Sequence, residues 1–122
     1  MILIVDDDPS FLETTDVLDP GHGIIHANNA KHAKELLTTL GAVLSVVLID
    51  LDLPDANGFE LMHEVREKSP SLPVIAISGV FQPNVLESAR VFGAIASLRK
   101  PIGPDWIEVI TRARAAHQPT EI

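Results

Sequence analysis

The chain has no cysteine. Disulfides, zinc–thiolate centres and a thiol nucleophile are therefore excluded, and a reducing compartment suits it. It also lacks any apolar run near the roughly 18 residues that cross a membrane. Its first residues, Met1-Ile2-Leu3-Ile4-Val5, have neither a basic stretch nor a cleavage site, so they read as a strand rather than a signal peptide. Positive charge is scarce: 9 Lys and Arg face 17 Asp and Glu, for a formal net charge of −8. That balance argues against direct nucleic-acid binding, which rests on cationic contacts to phosphate. No internal repeat, low-complexity segment or interdomain linker is visible.

What remains is a chain of 122 residues with 46% apolar content, enough for one domain with a real core. Residues 1–117 are expected to form that domain, with 118–122 as a tail. Apolar runs alternate with helical patterns. Strand one is read at 2–5, and a helix from Pro9 to Leu18 is stopped by Asp19-Pro20-Gly21. Strand two is 23–27. Asn28 or Asn29 caps a helix that runs to Leu40 and ends at Gly41. Strand three is 45–50, followed by a loop from Asp52 to Gly58 in which Gly58 is free to take positive φ. Helix three covers 58–67 and strand four 73–78. Pro83 opens helix four, which ends near Gly93. Strand five is 95–99, and Pro104-Asp105 open helix five, which runs to about Ala116. This alternation predicts an α/β fold: a mainly parallel, doubly wound sheet covered on both faces, with strands three and four central.

Four polar patches stand at the C-terminal ends of these strands. Asp6-Asp7 follow Ile2–Val5, Asp50 follows Val46–Ile49, Ser78 follows Val74–Ile77, and Lys100-Pro101 follow strand five. In a parallel sheet all four meet at the edge where open α/β sheets carry their sites. Carboxylates, a hydroxyl and an ammonium together suggest phosphoryl chemistry on a carboxylate with a divalent metal.

These residues resemble the receiver domain of two-component response regulators. The motifs are Ile-Val-Asp-Asp-Asp-Pro (4–9), Leu-Ile-Asp-Leu-Asp-Leu-Pro-Asp-Ala-Asn-Gly (48–58), Ile-Ser-Gly (77–79), Phe-Gly-Ala (92–94) and Arg-Lys-Pro (99–101). The resemblance implies a flavodoxin-like fold with five strands in the order 2-1-3-4-5. It implies that Asp50 accepts a phosphoryl group from a phosphohistidine of a sensor histidine kinase or phosphotransfer protein. It further implies Mg²⁺ held by Asp7 and Asp50 directly, by Asp6 through water and by the backbone carbonyl of Asp52. Ser78 and Lys100 would contact phosphoryl oxygens, with the N–H groups of Leu51 and Gly79 completing the cradle and a cis bond at Pro101 aiming the lysine. Such a domain is cytoplasmic, has no membrane contact and catalyses only its own phosphorylation and dephosphorylation. Its output commonly runs through helix four, strand five and helix five, by dimerisation or target binding. Arg90, Arg99, Arg112 and Arg114 make that surface a plausible partner face on an acidic domain.

Other readings stand beside this one. Asp6-Asp7-Asp8 alone is an acidic turn. Within the pattern, the first two read as ligands and Asp8 as the cap of the following helix. The five histidines, scattered over a strand entry, two helices and the tail, form no ligand set. Asp50-x-Asp52 also resembles the nucleophile motif of haloacid dehalogenase-type phosphatases, but in those enzymes the metal-binding acidic residues come last, and here Asp6-Asp7 come first. A third alternative is a receiver-like interaction module regulated without phosphate. The chain departs from the family at Ser97, where an aromatic residue is usual three positions before the lysine.

Overall fold

The computed structural model of the chain describes residues 1–18, 23–79, 88–89, 91–100 and 102–117. Five strands form one sheet: β1 (Ile2–Val5), β2 (Ile24–Ala27), β3 (Val46–Asp50), β4 (Val74–Ser78) and β5 (Ala96–Arg99). All pairings are parallel and the order is β2-β1-β3-β4-β5, as the resemblance implied. Between and after them run α1 (Pro9–Leu18), α2 (Ala30–Leu40), α3 (Gly58–Lys68) and a last helix, Trp106–His117. Ser88, Ala89 and Val91 are helical, but the rest of the helix read from Pro83 lies outside the described residues. So do the Asp19-Pro20-Gly21 stop, Arg90, Pro101 and the tail.

The uninterrupted apolar runs are explained by two cores. Every residue of β1, β3 and β4 is buried, while β2 and β5 at the edges are mostly half-buried. Successive strand residues point to opposite faces. Leu3, Val5, Val47, Ile49, Val74 and Ala76 therefore pack against Ala30 and Ala33 of α2 and Leu61, Met62 and Val65 of α3. The alternate set, Ile2, Ile4, Val46, Leu48, Ile75 and Ile77, packs against Phe11 of α1 and Trp106 and Ile110 of the last helix.

Helix starts follow local chemistry. Asp8 Oδ1 accepts from Ser10 N–H at 3.0 Å, so Asp8 caps α1 as read. Asn29, rather than Asn28, caps α2, accepting from His32 N–H at 2.8 Å.

The helix read to Leu40 and ended by Gly41 stands: α2 stops at Leu40 with Gly41 as its C-cap, at φ −50°, and the chain continues into a 3-10 turn over Gly41–Val43. One glycine expectation is corrected. Gly58 does not take positive φ: among the described glycines only Gly93 does, at 107°. Gly58 is needed for closeness. A Cβ there would lie 2.3 Å from the carbonyl oxygen of Asp50 and 2.6 Å from Leu51 Cα. The start of α3 thus rests directly on the backbone that carries Asp50.

Candidate functional site

Sheet register brings the polar patches together. Val5 pairs with Ile49, so Asp6 and Asp50 leave adjacent strands at the same level. Asp50 pairs with Ile77, one residue before Ser78. Ser78 pairs with Arg99, one residue before Lys100, and Lys100 N–H donates to the Ser78 carbonyl at 2.9 Å. Asp6, Asp50 and Ser78 are all buried. Burial of that much polarity at one sheet edge requires compensating partners.

Lys100 supplies most of that compensation. Its Nζ lies 2.6 Å from Asp6 Oδ2, 3.4 Å from Asp50 Oδ2 and 3.9 Å from Asp8 Oδ2. Backbone donors do the rest: Asp8 N–H donates to Asp6 Oδ1 at 2.9 Å, and Asp52 N–H to Asp50 Oδ1 at 3.0 Å. The compensation is incomplete at Asp50. Burial, joined by the neighbouring Asp6 carboxylate, pushes its carboxyl up to about 6 against the pull of the Asp52 N–H and Lys100. For Lys100, burial works against the charge, but Asp6 and Asp50 outweigh it and hold the ammonium above its ordinary range.

One carboxylate oxygen from each of Asp6, Asp7 and Asp50 can be chosen so that all lie within 4.8 Å of one another. Asp7 is exposed, so this set opens to solvent. Clustered hard oxygen donors of like charge suit a divalent cation such as Mg²⁺. Asp52 does not add its side chain to the set. The residue is exposed, its N–H serves Asp50, and it bridges to Asn57.

The structure adds three residues that the sequence reading passed over as site components. Phe11 lies beneath Lys100, with Nζ 4.7 Å from the ring centroid. Gly58 abuts the Asp50 carbonyl, as described above. Asp55, read only as a turn residue, reaches across to α2. Its Oδ1 accepts from Ala30 N–H at 2.8 Å and its Oδ2 from Lys31 N–H at 3.1 Å. Those bonds hold the Asp55 carboxyl below its ordinary range, the Ala30 N–H contributing most. Asn57 caps α3, accepting from Phe59 N–H at 2.8 Å. The loop after Asp50 is therefore fastened to two helix starts. Asp55 and Gly58 lie within the quoted motif over 48–58, but neither their contacts nor that of Phe11 left a local signal in the sequence.

The arginine surface read from the sequence is less free than expected. Arg112 is paired with Glu108 one turn away, and Arg114 is half-buried.

A doubly wound parallel sheet of this order, with buried acidic residues and a lysine meeting at its C-terminal edge, defines a receiver-type α/β domain. The chain matches the model of the family described as "response regulator receiver domain" over residues 2–112, and it belongs to that family. It is 36% identical over 110 residues to an uncharacterized 14.6 kDa protein of Leptolyngbya boryana, covering 84% of this chain and 80% of that one. It is 30% identical over 118 residues to the transcriptional regulatory protein ZraR of Klebsiella oxytoca, covering 95% of this chain but only 26% of the regulator. The crystal structure of a CheY-like response regulator receiver domain protein from Methanospirillum hungatei superimposes with a TM-score of 0.81 at 27% identity. That match covers 94% of this chain and 93% of the other. The dehalogenase-type reading draws no support from these likenesses. Among the described residues no helix is long and apolar enough to cross a membrane.

Proposed function

We propose that Asp50 is the phosphoacceptor of this receiver domain. The observation that carries the reading is the desolvated Asp50 carboxylate, clustered with those of Asp6 and Asp7 and 3.4 Å from the Lys100 ammonium. A carboxylate is a weak nucleophile, and burial removes the water that would mask it. In the reaction an Asp50 oxygen bonds to phosphorus while the bond from phosphorus to the donor's imidazole nitrogen breaks, and the imidazole leaves. The donor is a sensor histidine kinase or a phosphotransfer protein.

Mg²⁺ fits the donor set. Asp7 and Asp50 would hold it directly, Asp6 through water, and the Asp52 carbonyl would add a further oxygen. When bound, the ion neutralises charge on the transferring phosphoryl group. Lys100 gives a second positive charge to a phosphoryl oxygen, and Ser78 gives a hydroxyl. The domain catalyses only its own phosphorylation and dephosphorylation, and acts in the cytoplasm. Output through helix four, strand five and helix five, including a homodimer, is supported by Val91, a helical residue in the sequence read as helix four that is 85% exposed.

Incubation with Mg²⁺ and a small phosphoryl donor such as phosphoramidate, followed by intact mass measurement, tests the assignment. One phosphoryl group is expected on the wild type and none on Asp50→Asn. Undiminished labelling of that variant would refute it.

A further inference from the structure

Phe11 takes part in two sets of contacts at once. It is the third residue of α1, 5% exposed, and packs with Leu48, Ile77 and Ile102 in one core. Its ring also meets the Lys100 ammonium at 4.7 Å, a distance at which the electron-rich face attracts a cation. The carboxylates alone would not hold that ammonium in one place. They lie at three different distances, 2.6, 3.4 and 3.9 Å, and the farthest, Asp8, has a side chain 47% exposed. A four-carbon stem is flexible, and a hydrated ammonium favours the exposed partner. A cleft of about 320 Å³, bordered by Asp8, Ser10, Phe11, Thr14, Lys100 and Ile102, provides room for that excursion.

We propose that Phe11 is a positioning residue: its ring face keeps the Lys100 ammonium over Asp6 and Asp50, and so fixes where positive charge meets the incoming phosphoryl group. The inference rests on the assignment of Asp50 as phosphoacceptor. It gives α1 a part in the chemistry beyond covering the sheet.

The test uses Phe11→Leu, Phe11→Tyr and Lys100→Ala in the full chain, with two readouts. The first needs no phosphorylation. In the metal-free wild type, NMR should find the Lys100 ε-methylene protons shifted upfield by the ring. Phe11→Tyr should keep the shift and Phe11→Leu should abolish it. The second is the initial rate of phosphorylation by phosphoramidate with Mg²⁺. Phe11→Leu should lower it about 5-fold, as expected for the loss of one cation–ring contact, while Phe11→Tyr stays within about twofold of wild type. In a Lys100→Ala background, Phe11→Leu should cause no further loss, because the ring acts only through the ammonium. An equal fold-loss in that background would show a packing effect and overturn the proposal. So would an absent ring shift, or an unchanged rate, in a chain that is phosphorylated. A wild type that shows the ring shift but takes no phosphoryl group would instead overturn the Asp50 assignment, and the catalytic consequence of the contact with it.

Discussion

Asp50→Asn should make the metal-free protein more stable at neutral pH. The Asp50 carboxyl rises from 3.8 to about 6 on folding, chiefly through burial. Above both values the ionised group therefore destabilises the fold by about 3 kcal/mol at most, relative to a neutral one. Asparagine removes the charge and keeps the shape. Its oxygen can still accept from Asp52 N–H, but its amide donors face the Lys100 ammonium, now 3.4 Å from Asp50 Oδ2. We set about 1 kcal/mol against the gain for that mismatch. The net expectation is roughly 1–2 kcal/mol in favour of the variant. At about 4 °C per kcal/mol for a chain of 122 residues, that is a rise in Tm of about 4–8 °C.

The sign of the pH dependence is the sharper part. Folding favours the protonated carboxyl, so the penalty is absent below 3.8, grows as pH rises toward about 6, and is full above it. The advantage of Asp50→Asn should shrink by about 1 kcal/mol between roughly pH 8 and pH 5.5, a range that stops short of the pI near 4.9. Urea unfolding in the presence of chelator, followed through the fluorescence of the buried Trp106, measures this. Saturating Mg²⁺ should stabilise the wild type more than the variant and close the gap. A variant less stable than wild type at pH 8, or a difference that does not move with pH, would refute the reasoning.

Asp7→Ala should weaken Mg²⁺ binding more than Asp8→Ala by calorimetry, because Asp7 belongs to the carboxylate cluster while Asp8 is committed to the α1 cap; equal losses would place the cation elsewhere. Gly58→Ala should destabilise the fold by about 2–3 kcal/mol in urea titration and slow phosphorylation, since the added Cβ meets backbone that cannot swing aside; wild-type stability would show that α3 can shift without consequence. Asp55→Ala should lower Tm modestly and speed amide exchange at Ala30 and Lys31. The contribution of Asp55 should be lost in the wild type as pH falls through its depressed pKa, because folding favours its ionised form; unchanged exchange at those two amides would count against the clamp.

The central strands were legible because each offers four or five residues apolar on both faces, a pattern only a sheet covered on both sides explains. Strands β2 to β5 each begin one residue later than read, at the edges and in the centre alike, because strand ends are set by pairing with a neighbour rather than by local pattern. Gly41 was read correctly as the end of α2, but Gly58 was misjudged. The sequence shows that a glycine is present, but not whether backbone angle or close approach demands it. At Gly58 the demand comes from Asp50, eight positions earlier but in direct contact. The convergence of Asp6, Asp50 and Lys100 could be read because each follows a strand, and strand ends share an edge. The Asp55 clamp on α2 and the ring beneath Lys100 could not, because they join residues far apart in the chain and depend on side-chain reach rather than on local pattern.

The metal-free site is not a relaxed one, and that bears on how it works. Three carboxylates approach within 4.8 Å, yet only one ammonium lies among them, and it sits closest to Asp6 rather than to Asp50. Burial, with the neighbouring Asp6 carboxylate, therefore outweighs the pull of Asp52 N–H and of this ammonium and raises the Asp50 carboxyl. On the proposed assignment, the burial that destabilises Asp50 is also what would leave it poorly solvated and reactive toward phosphorus. A tighter pairing of Lys100 with Asp50 would stabilise the fold and blunt the nucleophile. The backbone frame around the site is correspondingly firm, with Gly58 wedged against the Asp50 carbonyl and Lys100 N–H bound to Ser78. Strain is therefore held in the placement of charges on a rigid edge, where a divalent cation would relieve it without rebuilding the sheet.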